Sequence, residues 1–372
     1  MTDKTTSPKI EHSVPWFWPM AAWMEMEDAG FKALEDSLRY IGEAVAITRP
    51  PEPKWATKND IVLDLDTMRL RDFGGSGTGL PVIVDAPFAG HSSTIADYDV
   101  GQSLVETLVG CGLGRVLCTD WKTATPEMRD FDIDKYLAEI NVAVDDLGGK
   151  VILVGLCQGG WMSAMYAARF PEKVAGLVLA GSPIDTDAGD GPIRNMAHEI
   201  PLSVYEDMVK AGKGRMLGQF MLTGWKNMHP DKQYLNKFID LYTHIEDEDY
   251  LERSETFESW YERPLDLPGR YYLQAIELLF KKNLFAKGEF IGLGRKLDLG
   301  AITCPAFLLA GESDDITTQE QVFAARGLLG TPDAQITQKL VPGGHIGLFM
   351  GRRTLTDTWP GIAEWIAATG GR

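Results

Sequence analysis

Cysteine is scarce in this chain: Cys111, Cys118, Cys157 and Cys304 are the only four among 372 residues. They stand too far apart to clip a metal, and at least three lie in or beside apolar runs. That pattern excludes a disulfide framework and gives no metal-ligand spacing. Basic charge is short as well, with 36 Lys and Arg against 53 Asp and Glu and a formal net charge of −17. A surface of that sign repels polyanions, which argues against nucleic acid or an anionic bilayer as a partner. No apolar run reaches the roughly 18 residues of a membrane-spanning helix. The N-terminus "MTDKTTSPKIEHSVPWFWPMAAWMEMEDAG" lacks a charged segment followed by an unbroken apolar one, so no secretory signal is expected. The expectation is a cytoplasmic protein without a transmembrane segment.

What is present is a chain with 44% hydrophobic residues, enough to bury a substantial core. Residues 1–55 read as an extension: the aromatic-rich "VPWFWPMAAWMEM", a stretch with helical apolar spacing, and the proline-rich linker "TRPPEPKW". Trp16, Phe17, Trp18 and Trp23 are expected to pack on the main domain or against a hydrophobic surface such as a granule. From about residue 60 strands and helices alternate. "PVIVDAP", "GRVLCTDW", "KVILVGL" and "AGLVLAGS" are apolar strand-like runs, with helices expected near 99–110, across 131–146 and after Cys157. Such alternation indicates a parallel sheet covered on both faces. Residues 183–296 are helical in pattern and rich in Met and aromatics; "CPAFLLAGESDD" then restarts the sheet, a helix follows near 318–329, and "WPGIAEWIAATG" closes as a helix. A helical insertion before the last strands is expected to form a cap over the strand ends where ligands bind. The division expected is therefore a core of 56–182 and 297–372 with a cap of 183–296.

In "GLCQGG" the pattern Gly155-x-Cys157-x-Gly159 falls on a strand-to-helix turn. A turn that sharp brings the residues flanking the nucleophile into collision unless they are glycine, as Gly155, Gly159 and Gly160 are. The positive end of the following helix favours thiolate at Cys157. A cysteine nucleophile needs a base, and the base an orienting carboxylate. Of six histidines, His345 in "VPGGHIGLF" stands directly after a late strand, and "GESDDI" offers Asp314, preferred over Asp315, after the strand before it. The order nucleophile, acid, histidine is the one this fold uses. The oxyanion hole is expected from the backbone N–H of Gln158 and a second donor, Phe88 or Ala89, in "DAPFAGHSST". His91 and Trp161 are candidate substrate contacts, His91 with the alternative of a hydrogen-bonded loop residue. The glycines of "RDFGGSGTGLP" precede their strand and do not open a helix, so no nucleotide cofactor and no metal is expected.

From about residue 80 to the C-terminus the chain resembles the polyhydroxyalkanoate synthases and the intracellular polyhydroxybutyrate depolymerases, α/β-hydrolase enzymes with a cysteine in the lipase-box position. "GLCQGGWMSAMYAARFPEKVAGLVLAGSPID" and "KGEFIGLGRKLDLGAITCP" look like the synthases; "DAPFAGHSST", "DLPGRYYLQAIELLF", "GESDDITTQEQ" and "GGHIGLFMGRR" look more like the depolymerases. The resemblance implies an α/β-hydrolase fold with a catalytic triad of Cys157, Asp314 and His345. It implies a hydrolase of polyhydroxyalkanoate ester bonds, a PHB depolymerase working through an acyl-thioester. Alternatives are a PHA synthase-like acyltransferase that polymerises 3-hydroxyacyl-CoA, and an esterase or thioesterase for small substrates. Two departures matter. Synthases usually carry Asp-His where this chain has Asp314-Asp315, and depolymerases usually carry proline where it has Gly159. The expected partner is a polyester granule or a 3-hydroxyacyl ester or thioester, with a homodimer as an admissible assembly.

Overall fold

The computed structural model describes residues 53–75, 78–228, 256–257 and 259–371. The N-terminal tryptophans and most of the expected extension fall outside the described residues, as does 229–255 of the expected cap. Eight strands form one sheet: β1 (Asp60–Asp64), β2 (Met68–Asp72), β3 (Val82–Asp85), β4 (Val116–Trp121), β5 (Val151–Leu156), β6 (Val174–Ala180), β7 (Ala306–Gly311) and β8 (Ile336–Val341). They lie in the order β1-β2-β4-β3-β5-β6-β7-β8. β1 and β2 are antiparallel to their neighbours and every later pairing is parallel.

Strand alternation explains why both faces are covered. In β5, Val151 and Leu153 join one hydrophobic cluster while Ile152, Val154 and Leu156 join the other. Successive side chains of a strand point to opposite faces, so a continuously apolar strand demands helices on both. Helices α1 (Leu104–Gly110) and α8 (Trp359–Gly370) close one face; α2 (Ile133–Asp146) and α3 (Gln158–Arg169) close the other. α2 buries Ile133, Tyr136, Leu137, Ile140, Ala143 and Val144, the i, i+3, i+4, i+7 spacing of an amphipathic helix. Asp132 caps it by accepting from the Lys135 amide at 3.2 Å, a contact that contributes about 1 kcal/mol. Its one buried acid, Glu139, accepts from the amide and hydroxyl of Thr67 at 2.9 and 2.6 Å. That ties α2 to the β1–β2 turn.

Two expected helices differ from their sequence reading. The one expected near 99–110 begins only at Leu104, because Asp97–Asp99 pairs with Gln102–Ser103 in a small hairpin and Ser103 caps the helix from the Glu106 amide at 2.9 Å. The one near 318–329 is broken into Gln319–Phe323 and Ala325–Leu328.

Between β6 and β7 run α4 (Pro192–Glu199), α5 (Leu202–Ala211), α6 (Gly218–Met228) and α7 (Gly269–Gln274), the last continuing into a π-helical turn over Ala275–Lys281. Met208 and Val209 of α5, Phe220 of α6 and Tyr271 of α7 are buried in the same cluster as α2 and α3. Among the described residues no helix is long and apolar enough to cross a membrane.

Candidate active site

The turn between β5 and α3 is held in its shape by close backbone approaches. Cys157 adopts φ 50°, ψ −116°, a conformation a non-glycine residue holds only where its surroundings enforce it. A Cβ on Gly155 would stand 2.3 Å from the Gly160 Cα, one on Gly159 2.0 Å from the Asp85 carbonyl oxygen, and one on Gly160 1.7 Å from the Ser182 hydroxyl. None of these positions can carry a larger residue without moving backbone or a neighbouring strand end. The sulfur therefore stands at the C-terminal ends of the strands and at the N-terminus of the 12-residue α3.

His345 follows β8 and Asp314 follows β7. The imidazole Nδ1 is 2.7 Å from Asp314 Oδ2, and the acid's other oxygen accepts from the amides of Ile316 and Thr317 at 3.0 and 2.9 Å. Those two bonds fix the carboxylate's orientation before it meets the ring. Gly181, at φ 55°, leaves the ring room: a Cβ there would be 3.2 Å from His345 Cε1. Burial disfavours the charged imidazole. The electrostatic pull of Cys157 and Asp314, with a hydrogen bond to each, outweighs it and holds the His345 pKa well above the ordinary value. The ring thus bridges the sulfur and the carboxylate, and the structure brings together the nucleophile, base and acid residues expected from sequence. The other cysteines lack such surroundings: burial pushes the Cys304 thiol up to about 11 and the Cys118 thiol well above its usual range.

A cavity of about 150 Å³ opens beside Cys157, walled by Met208, Phe220, Met221, Tyr272, Ile276 and Phe280 among others, and no charged side chain borders it among the described residues. Gln158, Ala89 and Trp161 also border it. Phe88 does not, its ring being fully buried against Trp121, Tyr136 and Tyr271; the donor expected of this loop is a backbone N–H, on which the burial of a ring has no bearing. His91 is the residue expected as a substrate contact or as a hydrogen-bonded loop residue. It lies outside the cavity wall, its ring stacked on Trp260 and Tyr261 and its Nε2 3.1 Å from the Tyr261 carbonyl oxygen. Burial drops its pKa to about 4, so at neutral pH its ring is uncharged.

Sequence reasoning missed Tyr271, whose hydroxyl accepts from Gln158 Nε2 at 2.6 Å, and Ser182, whose hydroxyl reaches the Gly155 carbonyl at 3.3 Å. Tyr271 lies in the quoted "DLPGRYYLQ", but nothing in that segment points to Gln158. No group of acidic, His or Cys side chains suited to a metal occurs among the described residues.

The family model described as PHB de-polymerase C-terminus matches residues 181–370, which include Asp314 and His345 but not Cys157. A poly(3-hydroxyalkanoate) polymerase subunit PhaC from Haloferax mediterranei is 29% identical over 279 residues, 73% of this chain and 56% of that protein. Its namesakes from Allochromatium vinosum and Synechocystis sp. are 26% and 28% identical, the alignments covering 73% of this chain and 76% and 74% of theirs. The chain thus spans little more than half of the Haloferax relative and about three quarters of the other two. A monoacylglycerol lipase from Paleococcus ferrophilus superposes with a TM-score of 0.53 at 18% identity, covering 81% of this chain and 99% of its own. That likeness carries the fold alone: the sheet described above is that of an α/β-hydrolase.

Proposed function

The chain belongs to the PHB de-polymerase C-terminus family, and from that premise we propose that it is an acyltransferase that builds poly(3-hydroxyalkanoate) through a thioester on Cys157. The observation that carries this reading is the Cys157–His345–Asp314 contact set beside a cavity whose wall, among the described residues, is apolar and uncharged. The polymerase names of the relatives favour transfer over hydrolysis.

In this reading the Cys157 proton passes to His345, and the sulfur attacks the carbonyl carbon of a 3-hydroxyacyl thioester. The Gln158 N–H, at the first residue of α3, and the Ala89 N–H hold the oxyanion. Collapse of the tetrahedral intermediate expels the thiolate of the leaving group, which takes the proton from His345. A chain-end hydroxyl then gives its proton to His345 and attacks the acyl-enzyme; the new ester bond forms as the Cys157 sulfur leaves, and that proton returns from His345 to the sulfur. Asp314 stays ionised and stabilises the imidazolium in both steps. An apolar wall suits an acyl or polyester chain, whose ester groups carry no charge.

A second reading, hydrolysis of stored polyester, rests on Asp315, where synthases usually carry histidine, and on the motif "DAPFAGHSST". The two differ only in the acceptor, hydroxyl or water. Incubation with 3-hydroxybutyryl-CoA and, separately, with native polyester granules tells them apart. Free CoA together with polymer supports transfer; soluble hydroxy acids from granules with no polymer from the thioester would replace it with hydrolysis.

A further inference from the structure

Asp85 is the last residue of β3 and only 2% exposed, and no part of the acyl-transfer sequence above uses it. Its Oδ2 accepts from the Ser163 hydroxyl on α3 at 2.9 Å, and its Oδ1 stands 3.4 Å from the Thr119 hydroxyl on β4. Thr119 in turn accepts from the Ala86 amide at 2.9 Å. The Ala86 carbonyl accepts from the Trp121 indole at 2.7 Å. Asp85's own carbonyl oxygen is what a Cβ on Gly159 would strike. One carboxyl thus touches the helix whose first amide is Gln158, and, through Thr119, the start of the loop that runs from Ala86 to Ala89.

We propose that Asp85 is a positioning residue for the oxyanion hole: bonded to Ser163 and Thr119, it fixes the spacing between the Gln158 amide on α3 and the Ala89 amide after β3. This rests on the acyl-transfer reading above and adds a residue to it. Both oxyanion donors must lie within hydrogen-bond reach of one oxygen, so a shift of a few tenths of an ångström between α3 and the β3 loop weakens both at once. Phe88, clamped among Trp121, Tyr136 and Tyr271, holds the far end of the loop; Asp85 and Thr119 hold the near end. Burial pushes the Asp85 pKa up to about 8 against the bonds from Ser163 and Thr119. At neutral pH the tie is therefore made by an uncharged acid, which sets no negative charge behind the developing oxyanion.

The test compares Asp85→Ala, Asp85→Asn and Ser163→Ala in the full chain. Turnover of 3-hydroxybutyryl-CoA is read alongside the rate of Cys157 alkylation by iodoacetamide, a substitution at sulfur that needs no oxyanion hole. Asp85→Ala is expected to lower kcat by about 10- to 100-fold, less than the loss of a direct oxyanion donor. KM and the alkylation rate should stay within about twofold, and Asp85→Asn, which can still accept from Ser163, should recover most of the loss. A folded Asp85→Ala with unchanged kcat, or a kcat loss matched by lost alkylation, would overturn the proposal. If Asp85→Ala does not fold, Ser163→Ala decides in its place, with a several-fold drop in kcat supporting the role and an unchanged kcat refuting it. Failure of the acyl-transfer reading would appear separately, as turnover that persists in Cys157→Ala.

Discussion

The rim of the sheet and the wall of the cavity meet at Cys157 but are built on different physics. At the rim, Gly155, Gly159 and Gly160 leave no room for a side chain, Gly181 leaves little, and Cys157, Asp314 and His345 each stand within four residues of a strand's C-terminal end. The wall is Met208, Met221, Phe220, Tyr272 and Phe280 on helices and a π-helical turn, side chains that can repack around occupants of different shape. In the proposed acyl-transfer reading the rim would set which bond is made and broken, and the wall which acyl chain is presented to it.

Removing the rim's chemistry gives the largest effect. Cys157→Ala is expected to lower turnover at least about 10⁴-fold with little change in melting temperature, since no atom is left to carry the acyl group. Asp314→Asn should follow with about a 10³- to 10⁴-fold loss in kcat, read as turnover at saturating substrate. The amide keeps the size of the carboxylate but loses the charge beside His345. Gly160→Ala tests the steric side: a Cβ 1.7 Å from the Ser182 hydroxyl should cost about 3 kcal/mol in urea unfolding, and Ser182→Gly in the same background should recover part of it.

Asp85 lies at the rim, yet among the described residues its carboxyl has only hydroxyls for direct partners, Ser163 and Thr119, and Cys118 and Tyr271 are the titratable groups there that feel its charge. Unfolded, its carboxyl ionises near 3.8; folded, burial holds the proton until about pH 8. The native state binds the extra proton between those limits, so this group's contribution falls as pH rises from about 4 to about 8. Wild type should lose a few kcal/mol more than Asp85→Asn across that window, measured as urea midpoints at pH 5 and 8.5. The smallest effect belongs to the wall. Met208→Ala should alter KM about tenfold or less and shift the preferred acyl length, with kcat nearly unchanged; a large loss of kcat there would erase the distinction between wall and rim.

The sequence and structure agree most closely where sterics leave no choice. The glycines around Cys157 announce their turn because no other residue fits, and His345 and Asp314 are found by their positions after successive strands. The surroundings of His91 are not legible in the sequence, because its partners Trp260 and Tyr261 lie about 170 residues away in the chain, beyond the reach of any local pattern. The wall is illegible for a related reason: Met and aromatic residues at helical spacing read the same whether they face a cavity or a core. β1 and β2 escape as named strands because β1 is an edge strand with an exposed face, and its apolar alternation is correspondingly weak. Asp85 reads as an ordinary strand-ending acid, and only the folded chain gives it Ser163 and Thr119.

The most direct measurement is peptide mass spectrometry after rapid mixing of the protein with 3-hydroxybutyryl-CoA and an acid quench. The expected result is one hydroxyacyl group on the peptide that holds Cys157, lost on hydroxylamine treatment and absent in Cys157→Ala. Turnover with that peptide unmodified, or turnover that survives in Cys157→Ala, would contradict the thioester route.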